Sequence, residues 1–128
     1  MKIVYVAKHG SGDNNDEDAI SYALEKLGHE VVKIYEKSGT QAKFADGDFL
    51  LFHKWEDYDT IARVKIPRVF WYFDLVRSND PIFVEKRNHV REEWMRKVTP
   101  HCLLGFCTDG DWVADDETGK MAHLLQGA

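Results

Sequence analysis

Along the chain, short apolar runs alternate with longer amphipathic stretches. Ile3 to Ala7, Glu30 to Tyr35, Phe49 to His53, Arg68 to Phe73 and Cys102 to Thr108 are brief and rich in Val, Ile, Leu or Phe, as strands buried on both faces are. Between them apolar residues return at helical spacing. Ala19, Ile20, Ala23, Leu24 and Leu27 form one stripe, and Phe83, Val90, Trp94 and Val98 another. EKSGTQAKFADGD has room only for a short helix around Thr40 to Phe44. YDTIARVKIP allows about two turns, closed before Pro67 because the residue preceding a proline disfavours helix. A short helix near Asp111 to Asp115, a turn at Gly119 and a sixth strand around Met121 to Leu125 complete the pattern.

Strand alternating with helix predicts a parallel sheet, because parallel strands need crossover connections and these are usually helical. The expected fold is α/β: a single three-layer Rossmann-like domain over residues 1–128, with a mainly parallel sheet of five or six strands. The last strand runs into QGA with no helix after it, which leaves one side of the sheet thinly covered.

A hydrophobic share of 44% with 30% charged residues fits a folded, water-soluble domain. The net charge of −5 comes without any Lys/Arg block, so nucleic acid is not an expected partner. No apolar stretch has the length of a membrane span, and MKIVYVAKHG turns polar too soon for a signal peptide, so the expected location is the cytoplasm. Cys102 and Cys107 are expected on opposite faces of a strand, as buried thiols and not a disulfide. With His101 or His53 they lack metal-ligand spacing, and neither a metal nor a cofactor is assigned.

In open α/β sheets, ligands bind outside the carboxyl ends of the strands, near the point where the strand order reverses. That rule selects the loops to weigh. After the first strand, Gly10 and Gly12 match the first two glycines of the dinucleotide fingerprint, but Asn15 holds the third place. Asp13, Asp16, Glu17 and Asp18 ring the helix start, where a diphosphate would meet like charge, and no phosphate-loop lysine is present. Asn14 or Asn15 is therefore expected to cap the helix. Glu36 stands where a ribose-binding acid would, but without the glycine pattern carries little weight. His9 and Ser11 lie where a polar ligand would sit, and histidine can act as a base near neutral pH. His53 closes the third strand. Asp74 follows Phe70, Trp71, Tyr72 and Phe73, so its carboxylate meets apolar walls, and Arg77 just beyond it suits an anionic ligand. After the fifth strand come Thr108, Asp109 and Asp111, where Asp109 or Asp111 can cap the next helix. In PIFVEKRNHVREEWMRKV acid and base alternate, the pattern of a solvated helix face.

Several of these segments resemble one family. MKIVYVAKHG followed by ALEKLGHEVVKI resembles the opening of bacterial glycosyltransferases of the GT-B type. PRVFWYFDLV and CTDGDWV resemble the fourth and fifth strands of glycosyltransferase-like proteins of bacteria and phages, and LLQGA resembles the lead into their second domain. The resemblance implies an acceptor-binding N-terminal domain of an enzyme that takes sugar from a nucleotide-sugar donor, inactive alone because a second domain holds the donor. On that basis His9 and Asp74, with Asp109 as a third, are candidates to deprotonate the acceptor hydroxyl. Gly10, Ser11 and Gly12 would shape the loop, Trp71 or Tyr72 would form an apolar wall, and His53, Arg77 and Asp111 would complete the acceptor site. The expected partners are a small-molecule or glycan acceptor and a donor-binding domain. The alternative is a non-catalytic binding or assembly module that associates with itself through its sixth strand or sheet edge.

Overall fold

The computed structural model describes residues 1–10, 15–77 and 84–124, the side chains of 84–87 excepted. Ser11 and Gly12, Phe83 of the predicted stripe, and the end of the predicted sixth strand lie outside these residues. Six strands, β1 (Lys2–Ala7), β2 (Glu30–Tyr35), β3 (Phe49–Phe52), β4 (Arg68–Tyr72), β5 (Leu104–Cys107) and β6 (Met121–His123), form one sheet in the order β2-β1-β3-β4-β5-β6. Every neighbouring pair is parallel. The connections are α1 (Asp16–Lys26), a 3₁₀ segment (Glu36–Phe44), α2 (Tyr58–Arg63), α3 (Val84–Val98) with a closing 3₁₀ turn, and α4 (Gly110–Asp115). The predicted three-layer Rossmann-like α/β fold is the observed one, and the sheet is wholly parallel across six strands.

Alternate residues of each strand serve two cores. Val4, Val6, Leu50, Phe52, Phe70, Tyr72 and Cys107 point to a first face, covered by the 3₁₀ segment, α2, α3 and α4 through Ala42, Ile61, Trp94, Met95, Val98, Trp112 and Val113. Ile3, Tyr5, Ala7, Leu51 and Val69 point to a second face and meet Ile20 and Leu24 of α1. Four of the five connections thus lie on the first face, and α1 is the helix of the second among the described residues.

Local chemistry places the helix ends. Asn15 caps α1, its Oδ1 accepting the N–H groups of Glu17 and Asp18 at 2.8 and 3.4 Å. Asp57 caps α2 through Thr60, and Arg68 of β4 donates from Nη1 to the carbonyls of Ile61, Ala62 and Val64 at its other end. α1 seats itself on Ile20, Ser21 and Leu24, while Ala19, Ala23 and Leu27 of the predicted stripe are exposed. In α3 the seam is Trp94, Met95 and Val98, with Val90 exposed.

The cysteines depart from expectation in one respect. Both are free, but both sit in the first-face core, because β5 begins only at Leu104 and Cys102 precedes it, outside the strand alternation. Burial pushes the thiols up, to about 12 for Cys102 and about 11 for Cys107. No helix among the described residues is long and apolar enough to cross a membrane.

Gly105 of β5 is tightly enclosed. A Cβ there would lie 2.2 Å from Cζ of Phe70 and 2.9 Å from Sδ of Met121, so the ring of Phe70 occupies the volume a side chain would take. Gly105→Ala is expected to destabilise the fold by about 2 kcal/mol, the scale of overpacking in a close-packed core, read as a lower urea midpoint with an unchanged slope.

Candidate functional site

The chain leaves β1 for β2 on one side and then returns past β1 to build β3 on the other, so the strand order reverses between β1 and β3. Lys8 follows β1 and Lys54 follows β3, which brings both to the reversal. There a cleft of about 280 Å³ opens on the first face, lined by Lys8, Lys54, Glu56, Tyr58, Tyr72, Val90, Arg91 and Trp94. Tyr72 ends β4 with its ring packed against Trp94 and its hydroxyl without a hydrogen-bond partner among the described residues. Burial pushes its phenol well above the ordinary range, so it stays a donor.

Asp74 stands beside this cleft. Its Oδ2 accepts from Nζ of Lys54 and lies 3.6 Å from Nη2 of Arg91, and the carboxylate side chain remains 36% exposed. Arg91 is anchored from its other side by Nη1, which donates to the carbonyl of Leu75 at 2.7 Å. Lys8 forms no ion pair among the described residues.

A second crevice of about 370 Å³ separates the ends of β1 and β2, lined by Ala7, Lys8, His9, Gly10, Tyr35, Glu36 and Lys37. Burial pushes the Glu36 carboxyl up, opposed by the charge of Lys8. His9 is only 6% exposed, and its Nε2–H donates to the carbonyl of Tyr5 at 2.9 Å. Its Nδ1 is buried without a hydrogen bond, 3.6 Å from Oδ1 of Asp18. Asp18 also accepts the N–H of Gly10 at 2.9 Å, and Nδ2 of Asn15 donates to the carbonyl of Lys8. The Gly10 amide beside this helix start is therefore already taken by a carboxylate.

Several other predicted residues have structural work elsewhere. Asp109 is 4% exposed, and its two oxygens accept four backbone N–H groups, those of Val76, Arg77, Asp111 and Trp112. It caps α4 and ties the segment after β4 to it, so its lone pairs face amides and not a ligand. Asp111 lies exposed in the first turn of α4. Arg77 donates to Glu92 and Asp115 at 2.9 and 2.7 Å and lies over the Trp112 ring, and those hydrogen bonds, Asp115 first, raise its pKa. Strand alternation sends Tyr72 to the cleft and Trp71 to the second face, beside Phe73.

His53 also faces the second side. Its Nδ1–H donates to the carbonyl of Trp71 at 2.7 Å, which leaves Nε2 to accept the Tyr5 hydroxyl proton, and its ring stacks on Phe73 at 4.1 Å. Burial sets both ends of this pair, raising the Tyr5 phenol and lowering His53 to about 4. The structure thus gathers Tyr72 and Asp74 at one cleft, His9 and Gly10 at the neighbouring crevice, and buries His53 and Asp109 away from both. Lys8, Lys54, Tyr58 and Arg91 join the cleft without having stood out in sequence.

Because His53 is held neutral when folded, the unfolded chain binds its proton first, near 6.5 against about 4. Its contribution is fully present above the unfolded value and is lost as pH falls through that window, by on the order of 3 kcal/mol. Denaturant titrations at successive pH values are expected to show this slope, and His53→Gln, which keeps one donor and one acceptor, to flatten it.

No family model matches this chain, and no curated protein sequence matches it.

Proposed function

We propose that this chain is a small-molecule-binding α/β domain, and that it serves as the acceptor-side half of a GT-B type glycosyltransferase whose donor-binding half lies in another domain. One observation carries the reading: the reversal of strand order coincides with a cleft in which ammonium, guanidinium, phenol and carboxylate groups converge. A volume of about 280 Å³ stands just below the roughly 300–1,000 Å³ of drug-sized ligand pockets, which suits a single sugar ring. Of the candidate bases, Asp74 alone stands beside this cleft with an accessible carboxylate, and in this reading it accepts the proton of the acceptor hydroxyl. Lys54 and Arg91 hold it in place. A titration of the ¹⁵N-labelled chain with monosaccharides is expected to shift the amides around Lys54, Tyr58, Tyr72 and Arg91, and Tyr72→Phe to weaken binding about fivefold. Shifts confined to other parts of the sheet would refute the assignment.

A second reading, an assembly module, is supported by the second face. Trp71, Leu104 and Phe106 belong to its apolar cluster yet are only half-buried, beyond the reach of α1 over β1 and β2. Sedimentation equilibrium is expected, on that reading, to show a mass that rises with concentration and falls back to the monomer in Phe106→Lys. A strict monomer at high concentration would count against it.

A further inference from the structure

We propose that the ligand of this cleft is an anion, a small molecule bearing a carboxylate or phosphoryl group, and that Asp74 is the internal anion it displaces; the inference rests on the binding site proposed above. Three cationic side chains, Lys8, Lys54 and Arg91, line one small cavity in a protein whose net charge is −5. Glu56 is the acid among the lining residues, and Asp74 stands at their edge, so the local balance favours the cations. Like charges gathered in a partly desolvated cleft repel one another unless an anion lies between them. Asp74 supplies that anion in part. A single oxygen, Oδ2, meets both Lys54 and Arg91, while Lys8 has no ion-pair partner among the described residues and Tyr72 offers an unused hydroxyl. A carboxylate or phosphoryl group, with more than one acceptor oxygen, can take Lys8, Lys54, Arg91 and Tyr72 together, which one oxygen of Asp74 does not.

The exchange is feasible because both ends of it are prepared. Arg91 is held from behind by the Leu75 carbonyl, so its guanidinium stays at the cleft when Asp74 leaves. Asp74 and Lys54 are both substantially exposed, so their pair is solvated and cheap to break. Arrival of the ligand's anionic group then transfers the two cations from Asp74 to the ligand. That frees the carboxylate to accept a hydrogen bond from a hydroxyl of the same molecule.

The test uses three probes with one ring and different charge: glucose, glucuronate and glucose 6-phosphate. Each is titrated into the wild-type chain, Asp74→Asn and Lys8→Met/Arg91→Met, followed by calorimetry and by amide shifts at the cleft. The two anions are expected to bind at the cleft at least tenfold more tightly than glucose. Asp74→Asn, which keeps the shape and removes the competing charge, is expected to tighten both anions about tenfold relative to glucose. The double variant is expected to lose the anions, and the ratio between glucuronate and glucose 6-phosphate identifies which group the cleft prefers. Equal binding of all three probes would overturn the anion inference and leave the binding site standing. Anion binding that Asp74→Asn does not tighten would overturn the displacement. Absence of cleft shifts with every probe would remove the site itself. Amide dispersion matching the wild type confirms that each variant is folded.

Discussion

Six strands running in one direction leave the chain no way to turn back except across a face of the sheet. That constraint organises everything else in the molecule. It sends every strand's carboxyl end to the same edge, where the loops collect, and it assigns each crossover to a face according to the direction of travel. Because the strand order advances from β1 through β6 in one direction after a single step the other way, four connections fall on one face and α1 on the other. The reversal also separates the loop after β1 from the loop after β3, and the cleft forms in that separation.

Burying a polar group is costly unless it is matched, and Asp109 and His53 show two different ways of matching one. Asp109 surrounds its two oxygens with backbone donors, so the buried side chain fastens the segment after β4 to α4. His53 avoids charge altogether, with one nitrogen donating to Trp71 and the other accepting from Tyr5. The first arrangement holds the segment beside Asp74 in place. The second links β1, β3 and β4 near their carboxyl ends and makes the stability of that junction depend on pH.

Much of this architecture was legible in the sequence because strand and helix periodicities are written in apolar residues, which bury for reasons that do not depend on their neighbours. Tyr72 and Asp74 stood out as strand-end residues for the same reason, since they end a buried run, and the carboxyl ends of parallel strands are the general place for ligands. Strand parity chooses between Trp71 and Tyr72 only once it is known which face holds the cleft, and here it sends the two rings to opposite faces. Asp109 read equally well as catalyst or cap, because its buried partners include the N–H groups of Val76 and Arg77, remote in sequence. Lys8, Lys54 and Arg91 gave no local signal. Lysine in a loop and arginine on a charged helix are ordinarily surface residues, and only the three-dimensional meeting of β1, β3 and α3 distinguishes these from the rest. Cys102 was misplaced by the same limitation, since strand alternation applies only within the strand.

The charge distribution adds a final constraint on any ligand. At long range the protein repels anions, since its net charge is −5 and the helix start beside β1 carries Asp16, Glu17 and Asp18. Within the cleft the sign reverses over a few ångströms, well inside the Debye length of about 8 Å at physiological salt. Ions in solution therefore screen the outer repulsion more effectively than the inner attraction, which is partly shielded from water by Tyr72 and Trp94. Selectivity in such a cleft comes from what can shed its water and fit between fixed donors, and not from steering at a distance. In the proposed site, a compact ligand with one anionic group and several hydroxyls meets both conditions, because its charge can settle among the cations while its remaining surface keeps hydrogen bonds to Glu56 and Tyr58 at the rim.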